Sequence, residues 1–271
     1  MPETRSQLKL IRDADTWHES IAAKLDWLAP TPTDDLWKHL QNFTRCGKDL
    51  VIRTCRSCEE FETHPYACNI KWCPRCNWKL AKARQDKLRI WAAHVRQPKH
   101  VVTTQKNFGV ITRQKIAEHT KNQQRLRDSK VYEHVQGGCT SIEITNEGAG
   151  WHLHAHSLLD ARWVDASELA VRWGTIVEQE FAIVKVKDSR GSDYVKELTK
   201  YVAKGNQIAG WPPEQIWEFI CACRRQRFFF QFGTLSAMRD QVKEQLAFEK
   251  PESRRCECGA CNFVFKTIPG S

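Results

Sequence analysis

The residues with the most chemical potential in this sequence are three histidines, His152, His154 and His156, spaced two apart in the run Trp151-His152-Leu153-His154-Ala155-His156. Side chains alternate along a β-strand, so this spacing puts all three imidazoles on one face. Two neutral imidazole nitrogens at that spacing can grip one divalent ion and leave positions open for a phosphate oxygen. Upstream, Cys139 to Thr145 is a second β-like run, joined to the first by Asn146-Glu147-Gly148-Ala149-Gly150, a strong hairpin signal. A turn centred near Gly148 brings Glu143 opposite His152 to His154, making a carboxylate the third candidate ligand.

A second constellation follows at Asp193 to Lys204. At 100° per residue, Tyr194, Glu197, Tyr201 and Lys204 share one face of a helix. A tyrosine hydroxyl can attack phosphorus once a metal neutralises the phosphate. A lysine can lower a phenol pKa or clamp a phosphate, and a carboxylate can take a proton from water. Read alone, the segment is equally an amphipathic helix with tyrosines in the core.

The cysteines form a third group. Cys55-x2-Cys58 and Cys73-x2-Cys76 are two knuckles spaced for one structural zinc, with Cys68 an alternative ligand and Cys46 and His64 as spares. Cys256, Cys258 and Cys261 offer three ligands of a second zinc. Cys139, Cys221 and Cys223 read as core thiols.

Around these groups the chain divides into three regions: 1–97, helical and zinc-binding; 98–205, carrying the histidines and tyrosines; and 206–271, an aromatic, basic and cysteine-containing tail. Residues 1 to about 45 read as helices joined by the turn Ala29-Pro30-Thr31-Pro32. A helix is expected from Asn77, with Leu80, Ala83, Leu88, Trp91 and Val95 on one side, until Pro98. Val101 to Thr104 is a strand and Thr112 to Arg127 a helix. Asp165 caps a helix through Phe181, Ala182 to Lys187 is a strand, and a helix from Ser192 or Asp193 runs to Lys204, stopped by Gly205. This order suggests an α+β palm, an antiparallel sheet covered by helices on one face, beside the zinc module.

The hairpin and the tyrosine segment together resemble the HUH endonucleases. Gly138 to Thr145 with Trp151 to Leu159 looks like that family's metal-site hairpin, Val101-Val102-Thr103-Thr104 its Thr-rich first motif, and Tyr201-Val202-Ala203-Lys204 its Y-x-x-K nucleophile motif. Cys68 to Trp78 is similar to the cysteine segment of Rep proteins from small rolling-circle plasmids. The likeness covers about residues 68–204. It implies a ferredoxin-like palm whose metal, Mg²⁺ or Mn²⁺, is held by His154, His156 and Glu143, with His152 a less certain ligand. It further implies nicking and rejoining of one DNA strand by Tyr201 through a 5′-phosphotyrosine, with Glu197 activating water at termination. Tyr194 leaves a two-tyrosine scheme open. The same chemistry would serve a rolling-circle transposase, while a zinc-ribbon DNA-binding regulator is the non-enzymatic reading.

Composition agrees with a polyanionic partner. Lys and Arg total 42 against 32 Asp and Glu, a net charge of +10. From Lys71 to Lys115 there are 12 Lys/Arg and one acid, Asp86, with Trp72, Trp78 and Trp91 interleaved. The sequence has no long apolar stretch and no signal-peptide pattern, so a cytoplasmic location and reduced thiols are expected. It carries no nucleotide-binding G-x-x-x-x-G-K-[ST] motif, so strand unwinding would fall to a host helicase and synthesis to a host polymerase.

Overall fold

A computed structural model describes residues 5–28, 34–95, 97–180, 182–188, 204–249, 256–260 and 262–270. The fold is mixed α/β with two antiparallel sheets. Helices α1 (Arg5–Leu28) and α2 (Asp34–Arg45) open the chain. Strands β1 (Leu50–Cys55) and β2 (Phe61–Pro65) follow, then helix α3 (Pro74–Ala92). Pro74 sits in the first turn of α3, where its missing N–H costs nothing. The larger sheet and its helices begin with β3 (Pro98–Thr104), α4 (Arg113–Arg127), β4 (Gly137–Asn146), β5 (Trp151–Asp160), α5 (Ala166–Val177) and β6 (Val184–Asp188). The chain closes with α6 (Gly205–Gly210), α7 (Pro213–Cys223), β7 (Phe229–Gly233), α8 (Thr234–Ala237), α9 (Arg239–Glu249) and β8 (Phe263–Ile268).

The larger sheet has the order β6-β3-β5-β4-β7, so the hairpin β4–β5 lies at its centre. Trp151, Leu153 and Ala155 point to one face, where they join Ile142 and Ile144 in a core with residues of α1, α2 and α7. On the same side, Val101 and Leu159 pack against Leu126 of α4 and Leu169 and Trp173 of α5. The buried Gln123 side chain donates to Thr103 Oγ1 at 2.9 Å, pinning α4 to the back of β3. The helical cover is not confined to that face. Leu88 and Trp91 of α3, with Val95 just after it, pack on Cys139 and Leu158, which by strand alternation share the histidine face. One end of that face is therefore roofed and the histidine end is not roofed by α3.

Asp165 caps α5 as the sequence suggests, accepting from Ser167 N and Glu168 N; Thr112, read as the first helical residue, is the cap of α4, its Oγ1 accepting from Lys115 N. Helix α5 ends earlier than expected, at Val177, because Glu178 turns left-handed (φ 56°). The hairpin turn uses Gly150 at φ 92°, where an added Cβ would lie 2.7 Å from the Phe108 carbonyl oxygen. That close approach lets Phe108 bridge to Trp151.

The tail is built into both sheets. Strand β7 pairs with β4, and β8 pairs with β1 to complete a small sheet of order β2-β1-β8. The strands of residues 50–65 carry no alternating pattern in the sequence; β2 is exposed along its whole length. The expected helix through Lys204 needs correction at its end. Lys204 has extended backbone (φ −70°, ψ 134°) and Gly205 opens α6; residues 192–203 of the expected helix lie outside the described residues. No helix among the described residues is long and apolar enough to cross a membrane.

Candidate metal centres

Glu143 on β4 pairs directly with His154 on β5, and Ser141 with His156, so the register sets a carboxylate beside both imidazoles. Glu143 Oε2 lies 3.2 Å from His154 Nε2 and 3.3 Å from His156 Nε2. One ligand atom from each of the three residues falls within 4.8 Å of the others, so the three could hold one metal ion. The residues fit a cation by a second observation. His154 Nε2 and Glu143 Oε1 are buried without a hydrogen-bond partner among the described residues, so the His154–Glu143 approach is close yet misaligned as a hydrogen bond. Buried polar atoms are rarely left so unless a ligand completes them. Burial alone would push the Glu143 carboxyl up, but the adjoining imidazoles of His154 and His156 outweigh it and hold the group well below the usual carboxylate range.

Two outer residues, both unnoticed in the sequence, orient the imidazoles. His100 Nε2 on β3 lies 3.3 Å from His156 Nδ1. The ring planes are 17° apart with centroids 5.5 Å apart, so the rings meet edge to edge rather than face to face. With a cation on His156 Nε2, its Nδ1–H would donate to His100 Nε2, a hydrogen bond that would hold His156 in the ligating tautomer. His152 is placed otherwise. Its Nδ1 donates to Asn107 Oδ1 at 2.6 Å, and it stands beside His154, with ring centroids 4.8 Å apart, outside the three-residue cluster. The signal for Asn107 was slight, since it lies in the loop after β3 with no motif around it. That for His100 was its position, two residues from Val102, which pairs with His156.

The start of β5 is clamped from behind. Trp151 Nε1 donates to Glu218 Oε2 at 3.1 Å, and Trp211 Nε1 donates to Asn146 O at 3.0 Å. Trp151, Trp211 and Phe219 pack ring against ring, with centroids 4.9 to 6.2 Å apart. A rigid apolar floor of this kind limits imidazole movement on the opposite face. Of the other expected site residues, Lys204 is described only as the residue before α6. Tyr194, Glu197 and Tyr201 lie outside the described residues.

The cysteines assemble differently from the expected quartet of Cys55, Cys58, Cys73 and Cys76. They form two groups, Cys46-Cys68-Cys73-Cys76 and Cys55-Cys58-Cys256-Cys258, each of which could hold a metal such as zinc. The reason is strand β1, which runs from Leu50 to Cys55 and carries the first knuckle away from the second. At about 3.3 Å per residue a six-residue strand separates its ends by more than one metal site can span. In the inner group, Cys46 Sγ is 3.4 Å from Cys76 Sγ and 3.7 Å from Cys73 Sγ, and Cys68 Sγ is 3.6 Å from Cys76 Sγ. In the outer group, Cys55 and Cys258 are 3.8 Å apart and Cys58 and Cys256 are 3.3 Å apart. Four sulfurs at about 2.3 Å from one zinc stand roughly 3.8 Å from each other, so both groups suit a tetrahedral ion and neither is disulfide-linked.

The inner thiols interact so strongly that Cys46 and Cys76 are driven down by hydrogen bonds from their neighbours while Cys68 and Cys73 are driven up. A dication would relieve this conflict by accepting all four as thiolates. Cys46, a spare in the sequence reading, is a full member, and Cys68 joins rather than competes. His64 is exposed, 3.2 Å from Glu62, and belongs to neither group. Cys261 lies outside the described residues. Cys139 and Cys223 are buried, as expected of core thiols, and burial pushes the Cys139 thiol up to about 12; Cys221 is exposed instead. No protein-family model, curated protein or solved structure matches this chain.

Proposed function

We propose that this protein is a metal-dependent DNA-nicking and rejoining enzyme of the HUH type, acting as a rolling-circle replication initiator. The observation that carries the reading is the Glu143-His154-His156 cluster on two adjacent central strands of an antiparallel sheet. Glu143, His154 and His156 would hold the cation, and His100 would keep His156 in the ligating tautomer. The cation, Mg²⁺ or Mn²⁺, supplies charge neutralisation at the scissile phosphate. Tyr201 would attack phosphorus: its phenolic oxygen forms the new P–O bond, the bond to the 3′ oxygen breaks, and the proton ends on that oxygen. The products are a 5′-phosphotyrosine and a 3′-OH able to prime a host polymerase, with unwinding left to a host helicase. Glu197 would accept a proton from water at termination, and Lys204 would contact a phosphate rather than extend the tyrosine helix face. The ferredoxin-like palm of this family is consistent with the strand order and the central hairpin.

The test is supercoiled plasmid carrying the DNA that flanks the coding sequence, incubated with the protein and Mg²⁺ or Mn²⁺. Open circles and a covalent protein–DNA adduct are expected, the adduct mapping by mass spectrometry to Tyr201. Tyr201→Phe should abolish the adduct and keep DNA binding; His154→Ala with His156→Ala should abolish nicking with the fold intact. Undiminished cleavage by the double histidine variant would overturn the reading, and linkage to Tyr194 alone would move the nucleophile.

A further inference from the structure

A pocket of about 440 Å³ lies where the loop before α3 meets the turn after α7. Its charged lining is of one sign. Lys71 comes from the loop and Arg224 and Arg225 from the turn, and no Asp or Glu is among the described residues that line it. The two segments are tied together, the Lys71 ammonium donating to the Gln226 carbonyl at 2.8 Å across 155 positions of sequence. The convergence is therefore made by the fold and not by a charge run. Both segments are also pinned from behind. Cys68 of the loop belongs to the inner cysteine group, and Gln226 N closes the turn on the carbonyl of the buried Cys223 at 3.1 Å. Groups held in place before a ligand arrives lose little freedom in binding it.

Each segment has one residue in the left-handed region. In the loop it is Asn69, at φ 55°, a type that adopts this conformation readily. In the turn it is Arg225, at φ 58°, just past the end of α7, where glycine is the usual choice. A cation there would favour the helix dipole, but Arg224 already supplies one. The backbone gives no reason for a second arginine; its guanidinium does. Burial first, then the charge of Arg224, holds His39 on the pocket wall below the ordinary histidine range. Partial burial, then Arg84 and Arg227, does the same to Lys71 against the lysine range, so positive charge is crowded here and an anion would relieve it. Trp72 and Cys223 of the lining join Ile142 and Leu153 in the apolar core, on the sheet face opposite the histidines. The sheet thus stands between this pocket and the metal cluster.

We infer that this pocket is a separate ligand site that takes a phosphate group on Lys71, Arg224 and Arg225. Two guanidinium forks and an ammonium present more donors than the two oxygens of a carboxylate can use, whereas a phosphate offers three or four oxygens. A cavity of about 440 Å³ admits one nucleotide unit and not the body of a duplex. The phosphate therefore belongs either to a small phosphate ester or to one link of a nucleic-acid strand. The chemistry is the same in both, and measurement separates them. The site does not depend on the proposed nicking activity, since binding is read without cleavage.

The experiment uses the full chain with its bound zinc, at constant ionic strength in chloride and without Mg²⁺ or Mn²⁺. Calorimetry follows inorganic phosphate, thymidine 5′-monophosphate and thymidine, and fluorescence anisotropy follows a labelled oligothymidylate. Wild type is compared with Arg225→Gly and Lys71→Gln, and with Lys121→Gln, which removes one charge at an exposed position elsewhere. Glycine accepts φ 58°, so Arg225→Gly keeps the turn and should move the unliganded thermal midpoint by no more than a few degrees. The phosphate-bearing probes should bind the wild type and thymidine should not. Their affinity should fall roughly tenfold or more in both pocket variants, the scale of one lost hydrogen bond to a charged group, and hold in Lys121→Gln. Loss confined to the two small probes assigns the site to a phosphate ester; loss confined to the oligonucleotide assigns it to a strand. Equal affinities in wild type and Arg225→Gly for every probe would overturn the inference, as would an equal loss in Lys121→Gln. A lowered midpoint with binding intact would make Arg225 a structural residue and also overturn it. Zinc content and circular dichroism check each fold, and Lys71→Gln, at an exposed position, carries the test if Arg225→Gly does not fold. Phosphate binding in a chain that never nicks DNA would retain this site and remove only the proposed function.

Discussion

The two cysteine groups have the same four ligands and opposite settings. The inner group draws all four residues from positions 46 to 76, and Cys46, Cys73 and Cys76 belong to the main apolar core. Arg75 reinforces it, donating to the Cys46 carbonyl and to Asp15 of α1 at 2.6 Å. The outer group joins Cys55 to Cys258, 203 positions apart, and Cys58 and Cys258 are exposed. A metal in the inner group would tie neighbouring helices into the core. A metal in the outer group would clip a small sheet whose strands β2 and β8 are largely exposed. Ligand chemistry alone therefore does not tell how much of the fold depends on a site; what lies around the sulfurs does.

The largest effect should come from breaking the inner group. Cys76→Ser should leave Cys46, Cys68 and Cys73 without a fourth ligand inside the core, and structural zinc contributes on the order of 10 kcal/mol to small sites. The expected outcome is loss of cooperative unfolding and of near-UV circular dichroism. A second variant, Cys258→Ser, should lose about one zinc per chain and shift the thermal midpoint by several degrees while keeping the palm's near-UV spectrum. If the two variants ranked in the reverse order, burial would be the wrong guide to their difference.

Acid offers a smaller perturbation that again separates regions. His18 packs on Phe43, near the inner group, and burial brings it down to about 4; His119, behind the palm against Trp173, is brought down to about 3 by burial. Both stay neutral in the folded chain, while the unfolded chain takes up protons near pH 6.5. The unfolded state then binds more protons, so stability is complete above about pH 6.5 and falls as pH drops. The loss is about 1.4 kcal/mol per pH unit for each group, ending near pH 4 for His18 and near pH 3 for His119. Urea unfolding at pH 7 and pH 5 measures the slope, and His119→Leu should flatten it. An unchanged slope in that variant would assign the acid sensitivity to the other region.

Much of the larger sheet was legible because its signals are local. The hairpin and its turn lie within 24 residues, Gly137 to Asp160, and register follows from the turn, so Glu143 could be set against the histidines before any fold was known. The cap at Asp165 was readable for the same reason. What was not legible is long-range. Strand β7 sits inside an aromatic and basic run whose phenylalanines show no alternation, because both sides of that strand are half-buried. The pairing of Cys55 and Cys58 with Cys256 and Cys258 depends on β8 lying along β1, which no spacing within the first hundred residues encodes. His100 was passed over because its partner His156 is 56 positions away on another strand.

The pairing of β8 with β1 has a consequence in time. A ribosome adds roughly 5–20 residues per second, so the 203 positions from Cys55 to Cys258 take about 10 to 40 s to synthesise. Cys76 follows Cys46 by 30 positions, a delay of a few seconds. The inner site can thus be filled while most of the chain is still unmade, whereas Cys55 and Cys58 must wait as a half-built pair until nearly everything else has been translated. During that interval they are the sulfurs most open to a wrong metal or to an oxidant, and the order of synthesis itself decides which of the two sites the nascent chain completes first.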